Sequence, residues 1–355
     1  MTDVPEEAQP HIDNLRALRS PSGLFLASAQ NVSTGYDKAW LRDNFYMSLA
    51  FEQIGDQETV AETWRAMLNI FSKHKDKLSW ATQHKPYASW QYIHARYHPE
   101  TFDEYWEEWG NKQNDAVGAI LFALCGCNAA GLDILNSSED REVVQLLVNY
   151  LNTIEYWHDP DNGVWEEYEE VHASSIGPCV AALKRLREYD WLEIPEGMIE
   201  KGEEALGKLL PRESESKYCD LALLSLIYPY NVLDKETADT VLENLEYQFD
   251  RDRGVIRYKS DRYYNKNADG HSEEAEWTMG FPWLSIIYSQ RGEIEKAGHY
   301  LDKTREVMTE DKKLPELYYS NSSEPNENIP LGWSESLFVV ALMEYEKATT
   351  EGTAE

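Results

Sequence analysis

Hydrophobic positions recur with a helical period along nearly the whole chain, and the helical segments alternate between two kinds. One kind is apolar on several faces, as at 44–55, which is typical of a helix buried in an inner layer. The other kind carries a charged stripe, as at 57–75, which is typical of an outer layer. The same pairing is repeated at 115–130 with 139–157, at 173–188 with 194–210, at 219–228 with 235–250, and at 277–290 with 293–309.

A last apolar helix is predicted over 333–347, and the segment 11–19 can complete the sixth pair. Six helical hairpins that close on themselves predict an all-α fold, the (α/α)6 barrel, with an inner and an outer ring of helices. The chain contains no sequence repeat, no Pro- or Gly-rich linker and no break in composition. We therefore expect one domain over 1–355, with short flexible termini at about 1–10 and 348–355.

Four long stretches without a helical pattern each follow an outer helix and precede the next inner one. In a closed barrel such connections share one rim, and loops of this length in a compact domain are usually functional. We therefore expect the active site at that rim. The stretches are 76–112, 158–172, 251–275 and 311–332.

Local signals add detail to this outline. Gly292 is expected to end one helix of the fifth pair, and Ser334 can start the final helix. A short strand or hairpin is expected near 22–30, where apolar residues meet polar ones.

Composition narrows the classes of partner and location. The net charge of −31 repels phosphate backbones and anionic lipid, so we expect no nucleic-acid partner and no membrane partner. No apolar run reaches the length of a membrane span, and the N-terminus lacks the pattern of a secretory signal. The four cysteines are few for 355 residues and are expected to be buried thiols of a reducing compartment, which favours the cytoplasm. The oligomeric state stays open.

No metal and no cofactor are expected. The acidic spacing at 159–163 is similar to a calcium-binding loop, but Gly163 stands one place early, so a turn is favoured. Cys125 and Cys127 are separated by one residue inside a predicted helix, which is poor spacing for metal ligands.

Aromatic residues are abundant, with 12 Trp, 22 Tyr and 9 Phe. A flat apolar ring with a polar edge suits stacking against sugars, and many of these rings fall in predicted polar loops rather than in helix interiors. The rings in such loops include Trp80, Trp90, Tyr92, Trp106, Trp109, Tyr263, Tyr264, Tyr318 and Tyr319.

Two short acidic-aromatic segments, about 150 residues apart, carry the candidate chemistry. In one, Glu166 stands between Trp165 and Glu167, so burial and the neighbouring like charge favour its protonated form. In the other, Glu316 is placed to act as an ionised base toward a water molecule. Two carboxyl groups in unlike environments divide acid and base work at one pH, which is the minimal equipment for cleaving a glycosidic bond.

Further side chains at the predicted rim suit sugar recognition, because a charged pair such as Arg42 and Asp43 can bind two adjacent hydroxyl groups. Taken singly, each has an ordinary alternative as a surface ion pair or a helix cap; taken together at one rim, they favour function. The candidate substrate-binding residues are Trp40, Arg42, Asp43, Trp109, Gln113, Asp115, Trp165, Glu167, Arg257, Tyr258, Asp261, Tyr263, Glu276, Trp277 and Trp333, and the rim also carries Glu107 and Glu108.

From about Gly35 to Tyr345 the chain resembles glycoside hydrolase family 15, the glucoamylase family, and the glucoamylase-like domain of phosphorylase kinase regulatory subunits. The segment 40–43, Trp-Leu-Arg-Asp, resembles the family's Trp-x-Arg-Asp motif, which binds the terminal glucose. The segment 109–115 resembles the family's Trp-Gly-x-x-Gln-x-Asp motif, whose Trp packs near the reacting centre.

The resemblance also implies roles for the two acidic segments. The segment 164–167, Val-Trp-Glu-Glu, is similar to the one that bears the general acid, which implies that Glu166 is the acid. Leu-Pro-Glu at 314–316 resembles the general-base segment, which implies that Glu316 is the base. The segment 257–264 resembles a substrate-binding loop of the family.

These features together predict an inverting, exo-acting hydrolase that releases glucose from the non-reducing ends of α-linked glucans or maltooligosaccharides. One alternative is a non-catalytic, glucan-sensing regulatory protein, because the resemblance to the regulatory subunits extends to Pro-Glu-Leu-Tyr at 315–318 and Glu-x-Glu-Trp at 274–277. Another alternative is the same chemistry on trehalose or on α-1,6-glucosides. No starch-binding module or N-terminal β-sandwich is expected, so granular starch is a poor substrate.

Overall fold

The protein is described by a computed structural model, which covers residues 4–29, 35–107, 109–264 and 273–352. Glu108, which the sequence places at the rim, lies outside these ranges. Within them the chain forms thirteen α-helices and four strands of two residues each, so the all-α prediction is confirmed. The helices are α1 (Gln9–Ala17), α2 (Leu41–Ile54), α3 (Gln57–Lys73), α4 (Lys75–Gln83), α5 (Asn114–Ala129), α6 (Ser138–Ile154), α7 (Ala173–Leu186), α8 (Met198–Leu209), α9 (Leu224–Ile227), α10 (Lys235–Phe249), α11 (Gly280–Gln290), α12 (Ile294–Glu306) and α13 (Gly332–Gly352).

Six helices form a closed inner ring. In chain order α2, α5, α7, α9, α11 and α13 each contact the next, and α13 returns to contact α2. Their composition explains this position, because α5 is buried continuously from Asn114 to Cys125, and all but the last residue of α11 are buried. A helix that is apolar on all sides can satisfy its surface only inside the barrel.

The outer ring consists of helices with one apolar face. The helices α3, α6, α8, α10 and α12 each pack against the inner helix that precedes them in the chain. The helix α1 packs against α13, so the first and last helices form the sixth pair that the sequence indicated. The barrel closes at this pair, because α13 also contacts α2.

The structure differs from the sequence-based expectation in two helices. The stretch 76–112 was expected to lack helix, but it contains most of α4, which packs against α6 through a short apolar face with Leu78 and Ala81. The predicted inner helix at 219–228 is reduced to a 3-10 turn at Leu221–Leu223 and the four residues of α9. Pro229 lies two residues after this short helix, and proline restricts the residue before it, Tyr228, to the extended conformation that ends the helix.

Local expectations had mixed outcomes. Gly292 follows α11 with a positive φ of 73°, as a residue that ends a helix does. Ser334 does not start the final helix, since α13 begins at Gly332 and the Ser334 hydroxyl contacts Thr278 instead. In the described part of 22–30 no strand is formed, and the predicted strand or hairpin is represented only by an isolated antiparallel bridge between Arg19 and Phe25.

The ends of the chain are helical where they are described. Residues 6–8 form a 3-10 turn before α1, and α13 continues to residue 352, while the predicted flexibility of the termini stays a prediction. Across the described ranges, no helix combines the length and the apolar character needed to cross a lipid bilayer.

The four strands join the long rim loops in pairs. β1 (Ala39–Trp40) lies antiparallel to β2 (Arg96–Tyr97), and β3 (Glu276–Trp277) lies antiparallel to β4 (Leu317–Tyr318). Each pair connects the segment that leads into one inner helix with a distant rim loop. The backbone ladders therefore hold side chains from separate parts of the sequence at fixed positions around the barrel mouth.

Gly118 allows a close backbone approach between two inner helices. A Cβ atom at this position would lie 2.5 Å from the Cys179 backbone nitrogen, so α5 and α7 pack with almost no space between their backbones. Pro178 contributes to the contact, since its carbonyl carbon would lie 2.7 Å from the same Cβ. The inner ring thus requires glycine here for steric reasons.

We predict that Gly118→Ala lowers the free energy of unfolding by about 1–3 kcal/mol, because the added methyl group must push two packed backbones apart. Urea unfolding at neutral pH measures the change. The matched control is Gly207→Ala in α8, where a Cβ would meet nothing within 4 Å, so stability should stay equal or rise by up to about 1 kcal/mol. An equal loss in both variants would contradict the close-packing explanation.

Candidate active site

A cavity of about 360 Å³ opens at the rim where the long loops meet the inner helices. Both carboxyl groups singled out in the sequence, those of Glu166 and Glu316, line it. The remaining lining residues are Ala27, Tyr36, Trp40, Arg42, Asp43, Arg96, Trp109, Val164, Trp165, Glu167, Arg257, Tyr263, Trp277, Met279, Leu331 and Trp333.

Glu316 lies deep in the cavity wall and is held by three neutral donors. The Tyr36 hydroxyl donates to Oε1 at 2.8 Å, and the side-chain amides of Asn326 and Asn328 donate to Oε2 at 2.5 and 2.7 Å. The residue is only 2% exposed. Burial raises the pKa of Glu316, and the three hydrogen bonds, which favour the ionised form, oppose that rise.

Glu166 has fewer partners and a special backbone conformation. Its φ is +63°, in the left-handed region that non-glycine residues rarely adopt. The Trp40 indole N–H donates to its Oε1 at 2.8 Å, and the Arg42 guanidinium lies 3.8 Å from the same oxygen. Gly110 provides the space for this backbone, because a Cβ there would lie 2.8 Å from the Glu166 carbonyl oxygen.

The loop that carries Glu166 is anchored to the inner helices by Asp161. The buried Asp161 carboxyl accepts hydrogen bonds from the Asn114 backbone N–H at 2.8 Å and from the Ser175 hydroxyl at 3.0 Å. These two donors belong to the first turns of α5 and α7. Asp161 therefore fixes the loop to two inner helices, which gives it a structural role. Among the described residues, no group of three or more His, Cys, Asp or Glu side chains is arranged to hold a metal ion.

Burial raises the pKa values of two further carboxyl groups of the cavity. Burial raises the pKa of Glu166 to about 7, although the Arg42 charge partly opposes the change. Burial likewise raises the pKa of Asp43 to about 7, again against the charge of Arg42. Glu166 therefore retains its proton up to near neutral pH, as a general acid requires.

Arg42 is held rigidly by residues behind the cavity. Its Nε and Nη2 atoms donate to the two carboxylate oxygens of Asp115 at 2.6 and 3.1 Å, and Nη2 also donates to Gln113 Oε1 at 2.6 Å. Asp115 and Gln113 do not line the cavity themselves. Their effect is to aim the guanidinium, because a bidentate pair fixes its plane.

Arg257 forms the second positive group of the cavity. It donates from Nε and Nη2 to both oxygens of Asp261 at 2.7 and 2.8 Å, and Nη2 also donates to Glu167 at 3.1 Å. The Tyr258 hydroxyl and the Lys217 ammonium donate to the same Glu167 carboxylate at 2.5 and 2.9 Å. The Glu167 carboxylate therefore accepts from two positive groups and a hydroxyl, whereas its neighbour Glu166 has fewer partners.

Aromatic rings complete the walls. The Arg257 guanidinium lies over the rings of Trp277 and Trp165 at 4.5 and 5.1 Å. Trp333 stacks on Tyr46, with ring centroids 4.2 Å apart, and the Trp165 ring lies 6.2 Å from Trp333. Rigid rings around charged groups exclude water and offer flat surfaces to a ring-shaped ligand.

The sequence-based candidates fall into three groups. Glu166, Glu316 and ten of the candidate binding residues line the cavity, whereas Gln113, Asp115, Tyr258 and Asp261 lie behind it and hold the lining residues. Glu276 is not among the lining residues, since its carboxylate accepts from the backbone N–H groups of Arg253 and Asn321. The ten are Trp40, Arg42, Asp43, Trp109, Trp165, Glu167, Arg257, Tyr263, Trp277 and Trp333.

Sequence reasoning missed the residues that hold Glu316. Tyr36 lies in a short connection without a motif, and it reaches Glu316 only through the fold. Asn326 and Asn328 carry a weak signal, because alternate positions in an extended segment point to the same side. Arg96, whose guanidinium lies 4.0 Å from the Trp109 ring centroid, was also missed as a lining residue.

Comparison with known proteins gives a family match and two kinds of relative. Residues 11–324 match the model of glycosyl hydrolases family 15. A probable phosphorylase b kinase regulatory subunit alpha of Drosophila melanogaster is 26% identical over 90% of this chain and 30% of its own length. An uncharacterized glycosyl hydrolase of Methanocaldococcus jannaschii is 23% identical over 91% of this chain and 53% of its own length. The chain thus spans about a third to a half of these relatives.

Solved structures show the same fold. A wild-type glycosidase superposes with a TM-score of 0.80 at 18% identity, and the match covers 96% of both chains. A bacterial glucoamylase complexed with acarbose gives a TM-score of 0.75 at 14% identity, over 97% of this chain and 56% of the other. The predicted barrel of paired inner and outer helices is therefore confirmed as the glucoamylase-type (α/α)6 fold.

We predict that Glu166→Gln raises the free energy of unfolding at pH 8 by about 1–3 kcal/mol, a range reduced because the side chain is 24% exposed. Since the folded-state pKa of Glu166 is raised from 4.5 to about 7, its contribution to stability is fully present below pH 4.5 and is lost as the pH rises through about 7. The gain should therefore vanish below pH 4.5 in urea unfolding.

The matched control for this experiment is Glu243→Gln, at an exposed position of α10. Its unfolding free energy should stay within about 0.5 kcal/mol of the parent at every pH. A Glu166→Gln difference that does not change with pH would contradict the raised pKa.

Proposed function

The chain belongs to glycosyl hydrolases family 15, and from this premise we propose that it is an inverting, exo-acting hydrolase of α-linked glucans or maltooligosaccharides. It would release glucose from the non-reducing ends of these chains. The main support is the placement of Glu166 and Glu316 on the walls of one cavity. Four buried free thiols are typical of a reducing compartment, and we place the reaction in the cytoplasm.

In the proposed mechanism Glu166 gives its proton to the glycosidic oxygen as the bond from that oxygen to the anomeric carbon breaks. Glu316 takes a proton from a water molecule, whose oxygen forms the new bond to the anomeric carbon from the opposite side. Attack from the opposite side inverts the configuration, and room for the water requires a carboxyl separation of roughly 6.5–9.5 Å. The unlike environments of the two groups support this division of roles.

The size of the cavity supports exo action. A volume of about 360 Å³ is near the lower end for ligand pockets, which suits one terminal sugar rather than a chain passing through. Arg42, Asp43 and Arg257 would bind the hydroxyl groups of this sugar, while Trp109 and Trp165 shape the pocket around it. The charged groups are fixed before a ligand arrives, which lowers the cost of binding.

A second candidate function is a non-catalytic, glucan-binding regulatory protein. It is favoured by the similarity to phosphorylase b kinase regulatory subunits over about nine tenths of this chain. Against it, both carboxyl groups of an acid-base pair are present in the cavity. Binding of maltooligosaccharides without any release of glucose by the unaltered protein would establish this alternative.

We predict that Glu166→Gln and Glu316→Gln each reduce kcat for glucose release from maltotriose by at least about a thousandfold, because each removes a proton-transfer group. Stopped assays of released glucose measure the change, and Glu243→Gln serves as the control with unchanged kcat. Full activity in either active-site variant would rule out the assigned pair.

Product analysis completes this test. Proton NMR of the fresh product should show the β-anomer of glucose first, since inversion at an α-linkage gives that form. The same assay on trehalose and on an α-1,6-linked glucoside separates the proposed linkage from the two alternative substrates. Initial release of the α-anomer would contradict the inverting mechanism.

We predict that Asn328→Ala moves the acidic limb of the pH profile of kcat/KM upward by about one pH unit. The lost N–H donor stabilises the ionised form of Glu316, so its removal raises the pKa of the base. The alkaline limb, which follows the pKa of Glu166 at about 7, should stay in place.

The control for the pH profile is Asn136→Ala, which removes an exposed asparagine remote from the cavity lining. Thermal unfolding of each variant first verifies that it is folded at every assay pH. Movement of both limbs together, or of neither, would contradict the assignment of the acidic limb to Glu316.

A further inference from the structure

A second and larger hollow lies beside the active-site cavity. Its volume is about 890 Å³, more than twice the 360 Å³ of the cavity. We call it the aromatic groove and define it by Trp80 of α4, by Trp90 of the 3-10 turn Ser89–Gln91, and by Tyr105 and Trp106 of the following loop. Its residues take no part in the mechanism proposed for the cavity.

The aromatic groove and the cavity share one wall. The ring of His94, which lines the groove, stacks on Trp109 with centroids 5.9 Å apart, and Trp109 lines the cavity. Glu107 of the groove pairs with Arg96 of the cavity at 2.5 Å. A single layer of side chains therefore separates the two hollows, so a ligand in the groove lies close to one in the cavity.

The three tryptophans of the aromatic groove are unusually exposed to solvent. Trp90 is 69% exposed, Trp106 is fully exposed and Trp80 is 36% exposed. Leaving indole rings in water loses the stabilisation that their burial would bring, and clusters of this kind mark binding surfaces. The polar residues Ser89, Gln91 and Asn111 also line the groove.

Both carboxylates that line the aromatic groove are paired with a positive side chain, although the protein carries a net charge of −31. Lys77 pairs with both oxygens of Glu104 at 2.7 and 2.9 Å, and Glu107 pairs with Arg96. Burial lowers the pKa of His94 to about 3, so its imidazole is neutral at physiological pH. Flat rings, polar residues in the same lining and paired charges fit a neutral polyhydroxylated chain better than an ionic ligand.

We propose that the aromatic groove is a second α-glucan-binding site, which holds a length of chain outside the cavity through stacking on Trp90 and Trp106. The identity of the sugar rests on the proposed function, whereas the groove itself is argued from its own rings and charges. A polymer long enough to reach both hollows gains affinity from the groove. Maltose and maltotriose place one sugar in the cavity and leave too short a length outside it to occupy the groove as well, so they gain little.

The first experiment measures binding without turnover. In the Glu316→Gln background, native electrophoresis through gels containing glycogen reports retention of the protein. We expect Trp90→Ala combined with Trp106→Ala to weaken the apparent affinity for glycogen about tenfold, because two stacking surfaces are lost. The exposed Tyr247→Ala, on an outer helix, is the control and should be retained like its parent.

The second experiment uses the active protein. The same double substitution should raise KM for glycogen about tenfold, while kcat/KM for maltotriose stays within about twofold of the parent. Both tryptophans are exposed, so the substitutions should leave the thermal unfolding midpoint unchanged, which verifies the fold.

The outcomes separate the two proposals. Retention that depends on Trp90 and Trp106, without glucose release from any substrate, supports the groove and removes the hydrolase proposal alone. Equal retention of the double variant and its parent overturns the groove. Absence of any retention of the parent also overturns it and leaves a protein partner as the occupant of the exposed rings.

Discussion

Burial of charge in a small cavity is the constraint on which the site depends. Glu316, Arg42 and Arg257 are each 3% exposed or less, and an unpaired charge in such a place costs several kcal/mol. The fold meets this cost with fixed partners, which are Asp115 and Gln113 for Arg42, Asp261 and Glu167 for Arg257, and three neutral donors for Glu316. Those partners come from several rim loops and inner-helix starts, so the need to pair buried charge ties the loops to one another and to the barrel.

The two carboxyl groups differ because their partners differ in charge and number. Glu316 accepts from three uncharged groups, which hold the ionised form in place without supplying a full positive charge. Glu166 accepts from one indole N–H and lies 3.8 Å from a guanidinium whose hydrogen bonds go to other residues. Burial therefore dominates at Glu166 and raises its pKa to about 7. A proton is thus kept on one wall, while three donors on the other wall stabilise a negative charge, and this asymmetry is the physical basis of the proposed division between acid and base.

The aromatic groove extends the same principle to the outside of the cavity. Its carboxylates are neutralised locally by Lys77 and Arg96, so a neutral chain can approach rings that stand on a strongly acidic protein. Arg96 connects the two hollows. It lines the cavity, its guanidinium lies 4.0 Å from the Trp109 ring centroid, and it pairs with Glu107 of the groove. The cavity and the groove are therefore linked by the same layer of side chains that separates them. A groove next to the cavity can serve either proposed function, hydrolysis of a polymer or binding of a polymer without turnover.

The amino-acid sequence by itself determined the two-layer helical architecture, since an all-round apolar helix and a striped helix differ in local pattern. It also placed Glu166, Glu316 and the Trp-Leu-Arg-Asp segment in stretches that precede inner helices and share a rim. It did not determine α4, whose apolar face is only a few residues wide, or the shortening of α9. Only the tertiary structure decided that Tyr36 donates to Glu316 across 280 residues of sequence, that Asn326 and Asn328 join it, and that Glu276 turns to backbone groups instead of the cavity. Helix periodicity records burial within one segment, whereas the direction of a loop side chain depends on which distant segment offers it a donor.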